Sequence, residues 1–165
     1  MTVVDKEIVE RQIGRKLTFP FFVAVRCRYG CPVVIASAPL WKGKPFPTVF
    51  WLTCPVLSKA VGTLESQGFQ DSLIYDGGDR RFLFMRLYLA GVLGVKEKIQ
   101  FYPKWGRIAG ERLGHIKCLH AHLGAYLATG DGPGKFVWYK VREEMEKCNG
   151  PEVYLGISKV RVEEG

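Results

Sequence analysis

The chain has 165 residues, of which 47% are hydrophobic and 24% charged. That length suits a single domain over residues 1–165 with a core that needs no staples, and it excludes disordered and collagen-like classes. Lys plus Arg is 24 against 16 Asp plus Glu, a net charge of +8, which draws a protein toward anionic partners or simply solvates its surface. No Lys/Arg run exceeds two residues, so no linear basic arm is present.

The first sixteen residues mix charges with aliphatics and lack a leader's apolar region. The apolar stretch from Phe82 to Val95 is interrupted by Arg86 and is too short for a bilayer. The expectation is a cytoplasmic protein that does not engage membranes. Its five cysteines, Cys27, Cys31, Cys54, Cys118 and Cys148, are then read as thiols or metal ligands rather than a disulfide framework.

In chain order, residues 5–14 read as a short helix stopped by Gly14. Residues 21–27 and 33–36 read as strands joined by the turn residues Gly30 and Pro32, a hairpin. Residues 39–47, with three prolines, read as loop. Residues 48–53 form an apolar run that suits a strand buried on both faces. Pro55 opens a helix over 55–67, with Leu57, Val61 and Leu64 as its stripe and Gly68 as its stop. A short strand is expected at 73–75, a turn at 76–79, a buried helix at 80–94, and mostly loop at 99–111. Ile116, Leu119, Leu123 and Leu127 mark a helix over 113–128. Residues 130–134 read as loop, 136–147 as an amphipathic helix and 153–162 as a final strand. Strands and helices mix without regular βαβ spacing, so the fold class is α+β: a small, mostly antiparallel sheet packed with about four helices.

Chemistry concentrates in three places. Cys54 precedes Pro55 and falls at a helix N-cap, where the partial positive charge favours a thiolate; the plain alternative is a small packed residue. The segment HIKCLHAH, 115–122, holds all three histidines and Cys118. On a regular helix Cys118 and His122 are i,i+4 neighbours with His115 near them, a face that suits zinc with a ligand from elsewhere. His120 joins Cys118 only if that segment is loop or a first helical turn. The alternative is a core-edge cysteine with surface histidines. Third, Cys27 and Cys31 are spaced CxxxC across the hairpin turn. They read as a metal pair or, more simply, as one core and one turn cysteine. Arg26 and Arg28 project to the other face, where they could bind an anion. GDGPGK at 130–135 lacks phosphate-loop spacing.

QIGR at 12–15, RCRYGCP at 26–32, PFPTVFWLTCP at 45–55, LESQG at 64–68 and KCLHAH at 117–122 together resemble the "domain of unknown function 501" family, in order, up to about residue 135. The family carries no assigned reaction. The resemblance puts weight on Arg26, Cys27, Thr53, Cys54, Glu65, Lys117, Cys118 and His120. It implies that KCLH opens a helix, so that Cys118 and His120 converge. Residues 80–110 and Asp131-Gly132-Pro133-Gly134 depart from the family pattern.

The leading expectation is a zinc- or thiol-dependent, hydrolase-like enzyme acting on a small anionic substrate. Cys54, Cys118, His120 and His122 are its candidate metal ligands, with Cys27 as another fourth ligand and iron less favoured than zinc. Without metal, Cys54 would be the nucleophile, His120 its base and Glu65 the orienting carboxylate. Arg26 and Lys117 would hold the substrate. A structural zinc or iron–sulfur protein ranks second. A nucleic-acid or acidic-protein binding module, suggested by charge and by Trp41, Tyr102 and Trp105, ranks third.

Overall fold

The computed structural model describes residues 3–75, 80–97, 105–112, 114–148 and 150. Helix α1, Val3–Ile13, leads into strands β1, Phe21–Arg26, and β2, Pro32–Ser37. A two-residue hairpin follows, β3 at Leu40–Trp41 and β4 at Lys44–Pro45, and then β5, Phe50–Leu52. Helices α2, Pro55–Ser66, α3, Arg80–Val92, α4, Leu119–Thr129, and α5, Gly134–Val141, complete the described elements. The result is α+β, as the interspersed pattern predicts. No helix among the described residues is long and apolar enough to cross a membrane.

Strands β1, β2 and β5 form one antiparallel sheet with β2 in the centre. All six β2 residues are buried, and alternation sends them to two different cores. Ile35 joins Val9, Leu17 and Phe21 beneath α1. Val34 and Ala36 join Leu57, Val61, Leu119 and Leu123 on the other face. The strand buried on both faces is therefore β2, whereas β5, given that role by its apolar run, is an edge strand with Trp51 and Leu52 only partly covered.

The segment 39–47 is not wholly loop. Lys42 and Gly43 both have positive φ, 51° and 72°, the geometry of a tight hairpin turn. Pro45 is tolerated because β4 is an exposed edge. Both turn N–H groups donate to the Glu97 carboxylate. Residues 73–75 form no strand; they follow a 3₁₀ turn at Phe69–Ser72. The last helix starts earlier than its amphipathic pattern, at Gly134, and gives way to a 3₁₀ segment over Arg142–Lys147. The expected turn at 76–79, the expected strand at 153–162, Tyr102 and much of the 99–111 loop lie outside the described residues.

Two glycines set the close packing of α4. A Cβ on Gly124 would sit 3.0 Å from the Phe50 carbonyl oxygen, so α4 crosses β5 almost backbone to backbone. A Cβ on Gly134 would come within 2.1 Å of the His122 carbonyl oxygen, so only glycine lets α5 begin there.

Arg86, which the sequence offers only as an interruption of an apolar stretch, is buried on α3 at 1% exposure. Its guanidinium donates to the carbonyls of Trp105 at 2.7 Å, Phe46 at 2.7 Å, Pro47 at 2.6 Å and Arg107 at 3.2 Å. Burial pulls its pKa down to about 10. These bonds fasten the PFPT segment, which forms a wall of the cleft described next.

Candidate metal centre

Helix α4 begins at Leu119, six residues after the apolar stripe places it. The N–H groups before it are caught elsewhere: Gly114 donates to the Tyr75 carbonyl and Lys117 to the Glu111 carboxylate. Cys118 is the N-cap, with extended backbone at φ −146° and ψ 110°. Its side chain therefore leaves the helical register, and the Cys118–His122 pairing of a regular helix does not form. His120, in the first turn, faces Cys118 instead, the arrangement that the family resemblance implies.

Helix α2 supplies the rest. Ser58 and Glu65 are seven residues apart, two turns along one face. His120 Nε2 lies 3.0 Å from the Ser58 carbonyl oxygen. A carbonyl only accepts, so this nitrogen carries a proton and donates it. His120 Nδ1 is 3.2 Å from Glu65 Oε1, which also accepts the Leu119 N–H at 2.7 Å. Glu65 thus caps α4 where the Cys118 side chain does not.

One ligand atom each from Glu65, Cys118 and His120 lies within 4.8 Å of the others. All three residues are partly exposed. The hydrogen bond to Cys118, helped by Glu65, pushes the His120 pKa up to about 9 against the opposing effect of burial.

The other candidate residues lie apart. Cys54 caps α2 at the opposite end from Glu65, eleven residues or about 16 Å away along the helix. It is buried at 3% exposure. Burial pushes its pKa up, outweighing the N–H groups of Leu57 and Val56 that pull it down. The helix terminus thus does not deliver the thiolate that its position suggested. His122 is buried, with Nε2 3.0 and 2.8 Å from the two Glu111 carboxylate oxygens and its ring edge-on to Tyr75. Glu111 was not singled out in the sequence; a lone glutamate in a Gly-rich segment carries no pattern. Arg26 pairs with Asp5 at 2.8 Å and donates to the Gly30 carbonyl at 2.9 Å. The Lys117 side chain is exposed.

Cys118 and His120 form part of the wall of a cleft of about 310 Å³. The remaining lining, Phe46, Pro47, Thr48, Phe50, Trp51, Leu52 and Ala121, is almost wholly apolar. Neither Arg26 nor Lys117 borders it.

No curated protein and no solved structure matches the chain. Residues 23–74 match the family described as "Protein of unknown function (DUF501)". The match runs from β1 through α2 to the Phe69–Ser72 turn, so it includes Cys27, Cys31, Cys54 and Glu65 and ends before Cys118 and His120. Over that stretch, about a third of its length, the chain is similar to the domain of unknown function 501 family.

Proposed function

We propose that Glu65, Cys118 and His120 hold a catalytic zinc ion and that the protein is a zinc-dependent, hydrolase-like enzyme. The observation that carries this reading is the convergence of three ligand types within 4.8 Å on a partly exposed site. Catalytic zinc centres use three protein ligands and keep one position open, whereas structural ones close all four. The Ser58 carbonyl supports the same reading, because it holds the proton on Nε2 of His120 and turns Nδ1 toward Glu65. An acceptor on the far nitrogen fixes the tautomer and ring orientation of a histidine ligand in this way. Held by Glu65, Cys118 and His120, a zinc ion would supply Lewis acidity that lowers the pKa of a bound water. The chain's own residues orient the substrate: the apolar wall of Phe46, Phe50, Trp51 and Leu52 shields the reacting group from bulk water.

A second reading rests on the closeness of Cys118 and His120, whose ligand atoms lie within 4.8 Å. Without metal, His120 would serve as base to a Cys118 nucleophile, with Glu65 as the orienting group.

Both are tested by titrating metal-stripped protein with zinc and assaying an activated aryl ester. The zinc reading expects ester hydrolysis that returns with zinc and one equivalent of metal less in Glu65→Gln/His120→Asn. Hydrolysis that survives chelation but is abolished by alkylating Cys118 favours the thiol reading. No hydrolysis in either state removes both.

A further inference from the structure

Four of the five cysteines lie away from the Glu65 centre, and three chain segments bring them to one place. Cys27 and Cys31 flank the β1–β2 turn, where the Cys27 N–H donates to the Cys31 carbonyl at 3.0 Å and the Gly30 N–H to the Cys27 carbonyl at 2.9 Å. That pairing sets the two cysteines on either side of one tight turn. Cys54 arrives on the neighbouring strand exit: its N–H and that of Thr53 both point at the Val33 carbonyl, two residues from Cys31. Cys148 follows the 3₁₀ segment. Its neighbours on either side reach the same turn, since Arg28 donates to the Glu146 carbonyl at 3.4 Å and Gly150 packs on the Tyr29 ring. Cys27, Cys54 and Cys148 are each close enough to Cys31 for their charge to act on it. Cys54 is likewise within reach of Cys148 and Cys27.

We propose that Cys27, Cys31, Cys54 and Cys148 form a second metal site, a four-thiolate zinc site that ties the β1–β2 turn to the start of α2 and the end of the Arg142–Lys147 segment. Three of the cysteines are buried, at 2–3% exposure, and Cys27 reaches the surface, which leaves an entry path. Cys54 is the N-cap of α2, where the helix N-terminus favours a metal-bound thiolate over a neutral thiol. Among the described residues only Glu65, Cys118 and His120 already stand within 4.8 Å of one another. The four thiols must therefore close inward by side-chain rotation to reach Zn–S distances of about 2.3 Å. Binding exchanges four S–H bonds for four S–Zn bonds and releases four protons to solvent. Nothing is oxidised. Such a site is structural, with no open position, and is independent of the Glu65 centre.

Cobalt(II) titration of stripped, reduced protein reads the number of thiolates through the sulfur-to-cobalt charge-transfer band. The expected result is two metal ions per chain. A strong multi-thiolate band should persist in Cys118→Ser/His120→Asn and be lost in Cys27→Ser and in Cys148→Ser. Metal should raise Tm in wild type and in the Cys118→Ser/His120→Asn variant, and by less in the other two, where only the Glu65 centre remains to bind it. A wild-type band of single-thiolate strength, or a strong band unchanged in folded Cys27→Ser, overturns the four-thiolate site. Loss of the strong band confined to the Cys118→Ser/His120→Asn variant likewise overturns it. If Cys27→Ser and Cys148→Ser both fail to fold, the wild-type band still decides, because a band of single-thiolate strength overturns the proposal.

Discussion

Cys54 and Cys118 both occupy helix N-caps, on α2 and α4, and both follow extended backbone. At Cys54 the thiol is sealed beneath the sheet, and desolvation outweighs the helix N–H groups. At Cys118 the cap bond is supplied by Glu65, and the partly exposed sulfur is left to meet His120. Without metal, the same local motif therefore yields a proton-bearing thiol sealed from solvent in one place and a partly exposed thiol beside His120 in the other. A helix terminus contributes a modest electrostatic bias, so the surroundings decide which way the thiol goes.

The largest difference should be in metal binding at the Glu65 centre. His120→Asn is expected to weaken zinc there by about 100-fold or more, while Cys54→Ser leaves that affinity unchanged, as read by competition against a chromogenic chelator. Equal losses in the two variants would erase the distinction between the caps. Alkylation sharpens it next. In metal-free protein near pH 8, Cys54 should react with iodoacetamide at least about tenfold more slowly than Cys118, scored by peptide mass spectrometry. Cys31, whose thiol is pushed up to about 12 chiefly by burial, should be slow as well. A fast Cys54 would mean that the helix terminus does win.

Stability should separate the caps in the opposite sense. Cys54→Ser buries a hydroxyl and is expected to cost about 1–2 kcal/mol in urea unfolding, against less than about 0.5 kcal/mol for Cys118→Ser. The pH dependence follows from His120. Its folded pKa, about 9, lies above the ordinary 6.5. The native state therefore holds the proton more tightly, and its contribution is complete below pH 6.5 and lost as pH rises toward 9. Metal-free protein should lose stability over that window, and His120→Asn should flatten the profile; an unchanged slope would refute the linkage. The smallest effect belongs to Glu65. Glu65→Gln keeps an acceptor for the Leu119 N–H, whereas Glu65→Ala removes the cap and is expected to cost about 1 kcal/mol by thermal unfolding.

Much of the fold is legible in local chemistry. The apolar spacing of α1 and α2, the turn residues of the β1–β2 hairpin and Pro55 at the start of α2 each announce their element. The start of α4 is not legible, because the apolar stripe continues through Ile116 while distant acceptors on Tyr75, Glu111 and Glu65 catch the N–H groups that would extend the helix. That displacement separates Cys118 from His122 and brings it to His120. The short β3–β4 hairpin is hidden for a different reason: its prolines signal loop, but an exposed edge tolerates them.

The α+β class, the helix-capping position of Cys54 and the concentration of histidine near Cys118 can be read along the chain, because they depend on residues close together in it. Which side chains share a site depends on packing between distant segments. Glu65 reaches Cys118 and His120 because α2 packs beside α4, and His122 is taken by Glu111 because both are buried together. Which strand is buried twice, and which arginine holds the cleft wall, were settled in the same way. Desolvation and long-range hydrogen bonding act between residues tens of positions apart, and no local pattern records them.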